Sequence, residues 1–115
     1  MEKFYISGVF PENNMMPGVK KVSGGEFTLK HLEAGWEATF YYHKTGTKKD
    51  PEYTITMPCN GLAVYRGYPL KACKQWCLEH LDMITDKCET QDAIREEKWF
   101  AEAVREAIEK ERFSV

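Results

Sequence analysis

The sequence predicts an α+β fold, an antiparallel sheet of four to five strands with two C-terminal helices packed on one face. Apolar residues recur at every second position over the first two-thirds of the chain and at about every 3.6 positions over the last third, with the change near residue 69. A length of 115 residues with 43% hydrophobic residues is enough for one buried core. We therefore expect a single α+β domain over 1–115, strand-rich over 1–68 and helical over 69–115.

The clearest strand signal is a β-hairpin in the middle of the chain. Polar and apolar side chains alternate over 36–43 and again over 52–57, as expected of strands that are buried on one face. Between them, the segment 44–51 holds a glycine, an aspartate and a proline among lysines, which is typical of a turn. These runs predict two antiparallel strands that are neighbours in the sheet.

Three further strands are predicted from shorter segments. Residues 4–10 and 26–32 are rich in aromatic and β-branched residues, and a last strand over 62–66 ends at a glycine. The segment 11–25 contains two prolines, three glycines and two asparagines. Because these residues favour turns, we expect 11–25 to be a loop that joins the first two strands.

The strands are followed by a helix that packs on the sheet. Pro69 fits the first position of a helix, and the spacing of apolar residues predicts helix one over 70–84. Five of its apolar side chains fall within an arc of about 80°, which is typical of a face packed on a sheet. They are Leu70, Cys73, Cys77, Leu81 and Ile84.

A second helix is predicted from Thr90, a suitable N-cap residue, to Arg112. Its apolar residues cover an arc of about 180°, which is wider than the roughly 100° that one packing surface requires. We therefore expect helix two to present a second surface, with Trp99 at the edge of the apolar arc.

Composition and charge exclude several classes of function. The chain has 16 Lys and Arg against 18 Asp and Glu, a net charge of −2, so duplex DNA is not an expected partner. No apolar run reaches the roughly 18 residues of a membrane span, so we expect no membrane partner. The sequence does not open with a secretion signal, from which we expect a cytoplasmic protein whose four cysteines are reduced.

Cys73, Cys77 and His80 could carry thiol chemistry, because they lie at i, i+4 and i+7 of helix one. A thiol beside an imidazole can act as a nucleophile, and two thiols with Cys59 or Cys88 could bind zinc. However, the cysteine spacing contains no C-x2-C pair, and the same positions form the core stripe. We therefore interpret the cysteines as core residues and expect no catalytic residue, no metal and no cofactor.

The polar face of the hairpin is an alternative ligand-binding surface. Tyr41 and His43 lie on it, next to Lys48 and Lys49 in the turn. Aromatic groups beside lysines suit a nucleotide or single-stranded nucleic acid, whose bases stack on the rings and whose phosphates pair with the cations. The other interpretation is a sheet face that contacts only water, since tyrosine and threonine are good strand formers there.

The preferred functional surface is the outer face of helix two. Trp99 is its expected anchor, because aromatic residues ringed by charges are typical of protein interfaces. The rim charges are Glu102, Arg105, Glu106 and Glu109. This surface predicts a protein partner, either a different protein or a second copy in a two-fold homodimer. A charged face that is merely solvated is the remaining alternative.

The segment GLAVYRGYPLKACKQWCLEHL reads as strand, turn and helix, and a charged C-terminal helix follows it. With its acidic balance and aromatic-rich sheet, the chain resembles the small accessory proteins of phages and mobile elements, including the anti-CRISPR proteins. The resemblance lies in general character and transfers no residue role. It implies a stoichiometric, non-enzymatic inhibitor in the host cytosol. Such an inhibitor blocks a host defence protein, for example a CRISPR–Cas component, or uses acidic side chains to compete for its nucleic-acid site.

Overall fold

The fold is a five-stranded antiparallel sheet with helices packed on it, as the sequence predicts. The computed structural model describes residues 2–10, 16–86 and 97–113. These residues form β1 (Glu2–Phe10), β2 (Met16–His31), β3 (Trp36–Lys44), β4 (Tyr53–Thr56), β5 (Ala63–Gly67), α1 (Leu70–Glu79), α2 (Leu81–Asp86) and α3 (Lys98–Phe113). The strands pair in chain order, each antiparallel to the next. In these ranges, no helix has the length and apolar character needed to cross a membrane.

The hairpin predicted in the middle of the chain is present as β3 and β4. Trp36 and Phe40 are buried whereas Glu37 is exposed, as the alternation predicts. The turn between the strands is closed by the Thr45 amide, which donates to the Glu52 carbonyl over 3.0 Å. The last predicted strand is present as β5, one residue further along the chain than expected.

The segment 11–25 is not the loop that its prolines and glycines predict. Residues 16–25 belong to β2, whose first half pairs with the full length of β1. Backbone hydrogen bonds to a neighbouring strand outweigh local turn preferences. Pro17 is the second residue of β2, where a missing N–H disturbs the ladder least. Residues 11–15 lie outside the described ranges.

β2 changes its partner strand at two glycines. Gly24 is the last β2 residue opposite β1, and Gly25 is the first opposite β3, where it faces Tyr42. A Cβ atom at Gly24 would collide with the Tyr42 carbonyl oxygen, and one at Gly25 would collide with the Tyr42 ring. The close approach of the two backbones therefore requires glycine at Gly24, whereas a side chain at Gly25 would displace the Tyr42 ring.

β1 consequently lies over the polar face of β3. Phe4 stacks on Tyr41 with the ring centroids 4.8 Å apart, and it meets His43 edge-on at 5.8 Å. Further along β1, the Ser7 amide donates to the Gly61 carbonyl over 2.9 Å. Phe4 is buried by these contacts. A sheet face that alternation predicts to be open is therefore covered by the chain itself.

The main core lies between the other face of the sheet and helices α1 and α2. Cys73, Cys77 and Ile84, three members of the predicted stripe, have no exposed surface. The indole Nε1 of Trp36 donates to Thr85 Oγ1 over 2.8 Å, which fixes α2 to the start of β3. The core also contains Leu29, Phe40, Ile55, Met57, Cys59 and Val64, with Leu70 and Leu81 at its margin.

The helix predicted over 70–84 is interrupted at His80. α1 and α2 meet there because His80 leaves the helical conformation, with φ −128° and ψ 36°. Its ring stacks on Trp76 at 4.1 Å, and its Nδ1 lies 2.7 Å from the Trp76 carbonyl, to which it must donate. In a continuous helix that carbonyl would accept the His80 amide, which bonds to Cys77 instead. The side chain has therefore replaced a backbone hydrogen bond.

α3 begins later than the predicted helix two. Glu97 is not helical, so the prediction of one continuous helix from Thr90 is wrong; Thr90 itself lies outside the described residues. α3 has 16 residues and is about 24 Å long. Its first turn is anchored because Phe100 is buried beside Gly61, and because the Glu97 amide donates to the Cys59 carbonyl over 2.8 Å.

Replacing Gly61 by Ala is expected to destabilise the fold more than replacing Gly35 by Ala. Both glycines have positive φ, 71° and 77°, so each alanine carries left-handed strain of about 1 kcal/mol. A Cβ at Gly61 would also lie 2.6 Å from the Phe100 ring and 2.8 Å from the Ser7 nitrogen, whereas nothing lies within 4 Å at Gly35. Such overpacking typically adds about 1–3 kcal/mol. Urea unfolding of the two variants measures the difference, and equal losses would show that Phe100 does not pack on Gly61.

Candidate functional site

The outer face of α3 carries the residues that the sequence assigns to an interface. Trp99 is 46% exposed, and Glu102, Glu106 and Glu109 follow it along one side of the helix. Arg105 is exposed on the flank of this row. We call these five residues the α3 face. Within the described part of the chain, no side-chain hydrogen bond or ion pair engages its three glutamates.

The indole of Trp99 is held in one orientation by its own chain. Its Nε1 donates to Glu97 Oε1 over 2.9 Å, and its ring meets Phe100 edge-on with centroids 5.8 Å apart. The other carboxylate oxygen, Glu97 Oε2, accepts from Asn60 Nδ2 over 2.8 Å, which ties Glu97 to the segment between β4 and β5. The Trp99 side chain would therefore lose little conformational entropy when a partner binds it.

The opposite side of α3 is bound to the sheet. Lys21 of β2 donates to both carboxylate oxygens of Glu111, over 2.8 and 2.9 Å. This hydrogen bonding raises the pKa of Lys21 and lowers that of Glu111. Ile108 is 43% exposed and lies nine positions from Trp99, about 180° around the helix. Among the side chains described in α3, the exposed Trp99 and Ile108 thus lie on opposite sides of the helix. The second apolar surface expected from the sequence is therefore not one continuous surface.

Tyr41 and His43 do not share an open surface with Lys48 and Lys49. Both rings lie against Phe4 of β1. In the neighbouring strand β4, Thr54 and Thr56 are buried, with exposed fractions of 4% and 1%. The two lysines are exposed in the turn that follows β3. The ligand-binding interpretation and the water-facing interpretation both assume that this face of the sheet is open, but β1 covers the face. Ligand binding by these residues stays a prediction.

The imidazole of His43 is half-buried under β1. Its Nδ1 is buried and has no hydrogen-bond partner among the described residues. Burial lowers the pKa of His43 from its ordinary value of 6.5, and Arg66 and Lys20 lower it further. At neutral pH the ring is therefore uncharged, so it adds no positive charge for a phosphate.

The cysteines of α1 lie in the core with their thiols protonated. Burial raises the pKa of Cys77 to about 12 and also raises that of Cys73. The thiolate is the nucleophile and the metal ligand, so both chemistries are disfavoured at neutral pH. His80 directs its Nδ1 to a backbone carbonyl. In the ranges described, no group of three or more His, Cys, Asp or Glu side chains is placed to hold a metal, and Cys88 lies outside them.

Replacing Cys77 by Ala is expected to reduce the loss of stability in alkaline solution. The folded pKa of about 12 lies above the ordinary value of 9.0, so above pH 9 the unfolded chain releases a proton that the folded chain keeps. This contribution to stability is complete below pH 9 and falls by about 1.4 kcal/mol per pH unit above it. Urea unfolding at pH 8 and pH 10 should show a smaller decrease for the variant than for the native protein. The same decrease in both would contradict the buried thiol.

Sequence reasoning missed a groove on the other side of the hairpin. Tyr42 and Tyr53 line it together with Lys44, and Tyr68 stacks on Tyr53. Alternation assigns Tyr42 and Tyr53 to the core side of the sheet, and they do lie on that side, but near its end, where they stay half-buried. The signal in the sequence that could have indicated this groove is the group of lysines between Tyr42 and Tyr53, namely Lys44, Lys48 and Lys49.

A group of exposed apolar side chains lies around the junction of α1 and α2. Leu32, Leu78 and Met83 are exposed and border a cavity of about 480 Å³. Next to them, Asp82 lies 2.6 Å from Nε2 of the buried His31. None of the residues that line this cavity belongs to α3.

Comparison of the chain with protein-family models, with curated proteins and with solved structures finds no match. The α3 face brings all five predicted interface residues to one exposed side of a helix, whereas the residues predicted on the hairpin are divided between a covered face and an open turn.

Proposed function

We propose that the protein is a non-enzymatic protein-binding domain whose α3 face binds a basic surface of a partner protein. The observation that carries this proposal is the state of Trp99, which is 46% exposed while its Nε1 donates a hydrogen bond to Glu97. Exposed side chains usually lose conformational entropy on binding, but the hydrogen bond to Glu97 already orders the Trp99 side chain. Tryptophan is also among the residue types that dominate binding energy at interfaces.

The three glutamates of the α3 face indicate the kind of partner. They span about 10 Å along the helix and have no partner within the described chain. An arginine- or lysine-rich surface would pair with them, and such surfaces commonly bind phosphates. The inhibitor implied by the phage and anti-CRISPR resemblance fits here: acidic side chains would occupy the nucleic-acid site of a host defence protein, such as a CRISPR–Cas component, in the host cytosol.

A homodimer through the same face is the less favoured occupant. Two copies related by a two-fold axis would place the same row of glutamates on both sides of the interface. Like charges in contact oppose association unless basic groups separate them. Arg105 is the basic member of the α3 face, and the exposed Lys98 and Lys110 lie beside the glutamates on the helix. A homodimer would have to pair these cations with the glutamates of the other copy, whereas a basic surface of a different protein pairs with the glutamates directly.

Replacing Trp99 by Ala is expected to weaken binding about 30-fold, which corresponds to about 2 kcal/mol. The immobilised protein would first capture its partner from a bacterial lysate that contains a CRISPR–Cas system. The purified partner would then be titrated with the native protein, with Trp99→Ala and with Leu78→Ala. Leu78→Ala is the control, because it removes an exposed apolar side chain from a different surface. Unchanged affinity with a lowered melting temperature for Trp99→Ala would make Trp99 a packing residue only.

Replacing Glu102, Glu106 and Glu109 together by Gln should weaken the same complex and make its affinity less sensitive to salt. The native complex should lose affinity as salt rises, because screening weakens pairs between exposed charges. Isothermal titration at two salt concentrations tests this. The glutamates are exposed, so their neutral variants should keep the fold. An equal salt dependence for the native protein and the triple variant would contradict a basic partner surface.

A further inference from the structure

Three tyrosines from separate parts of the chain line one groove beside the hairpin. Tyr42 on β3 meets Tyr53 on β4 at a steep angle, with centroids 6.2 Å apart and 66° between the planes. Tyr53 in turn lies nearly parallel to Tyr68, which follows β5, at 6.3 Å and 12°. Tyr68 is 59% exposed. The outermost ring of the series therefore offers an aromatic surface to solvent.

Two neighbouring cavities open along these rings, and Lys44 lines both. The first has a volume of about 520 Å³ and the second about 390 Å³. The first is lined by Ser23, Gly24, Gly25, Tyr42, His43, Lys44 and Tyr53. The second is lined by Lys44, Gly46, Thr47, Lys48, Pro51, Glu52 and Tyr68. Each volume lies within the range of small-ligand sites, about 300–1,000 Å³.

The charges around the groove favour an anion of low charge density. Lys44 and Lys48 are exposed and carry the positive charge. The ammonium of Lys74 already lies over the rings of Phe27 and Tyr42, at 5.3 and 5.2 Å. Glu52 is the opposing carboxylate, and its Oε1 accepts a hydrogen bond from the Thr45 hydroxyl. With Lys74 beside Tyr42, three lysines against one carboxylate leave a positive field at the groove.

We propose that this groove binds single-stranded nucleic acid, with one base stacked on Tyr68, a second base against Tyr53, and backbone phosphates at Lys44 and Lys48. Aromatic rings and lysines in alternation are the features that such strands require. Because both cavities are lined by Lys44, a strand bound in one can continue into the other. A duplex does not fit, because its bases are already stacked and paired. This site is separate from the α3 face and does not depend on it.

The test uses a fluorescein-labelled ten-residue oligothymidylate and the full chain, with anisotropy as the measurement. Tyr68→Ala should weaken binding at least about fivefold, because it removes a stacking surface, while Tyr68→Phe should bind like the native protein. Lys48→Ala should also weaken binding. Lys49→Ala is the matched control, because Lys49 is the adjacent lysine in the same turn but lines neither cavity.

Salt and competitors complete the test. Two phosphate contacts predict about a sevenfold loss of affinity between about 50 and 200 mM salt. Unlabelled oligothymidylate should displace the probe far better than thymidine monophosphate or a ten-base-pair duplex. The proposal is overturned if anisotropy does not change up to about 100 μM protein, if Tyr68→Ala and Lys49→Ala behave alike, or if monophosphate or duplex competes equally. Trp99→Ala should bind the probe normally, so failure of this site and failure of the α3 face are distinguishable.

Discussion

The close approach of β2 to Tyr42 at Gly24 and Gly25 is the contact on which the rest of the structure depends. Because neither glycine has a Cβ, β2 continues past Tyr42 and pairs with β1 before this point and with β3 after it. The first half of β2 brings Phe4 onto Tyr41 and places Lys21 beside Glu111 of α3. The same two glycines line the first cavity of the groove. One local constraint thus positions the covered face, the third helix and the groove.

The two faces of the hairpin therefore have different roles. On one face, Phe4 of β1 covers Tyr41 and His43 of β3. On the other, α1 and α2 close the core, while Tyr53 at its margin stays half-buried and Tyr68 is exposed. α3 is divided in the same way. Phe100 and Glu111 hold its inner side, which leaves Trp99 and its neighbouring glutamates directed outward. The two proposed binding surfaces lie where aromatic and charged side chains stay exposed, at the α3 face and at Tyr68 with Lys44 and Lys48.

The local parts of this fold could be predicted from the sequence, and the long-range contacts could not. Alternation located β3 and β4, and helical spacing located the buried cysteines of α1, because both patterns depend only on near neighbours. The first half of β2 was missed because Pro17, Gly18 and the Gly24–Gly25 pair suggest turns, while its pairing with β1 is not visible in either segment alone. The break at His80 depends on a ring that replaces a backbone donor. The groove joins Tyr42, Tyr53 and Tyr68 from three elements, which no single window of sequence contains.

The position of β1 over the hairpin can be measured directly in solution. Nuclear Overhauser contacts between the ring protons of Phe4 and Tyr41 test it, because these residues are far apart in sequence and stack only if β2 passes through Gly24 and Gly25 as one strand. We expect strong ring-to-ring contacts, together with protected amides in the first half of β2. Absence of these contacts, with rapid amide exchange over residues 16–24, would show that the segment is a loop and would contradict the account.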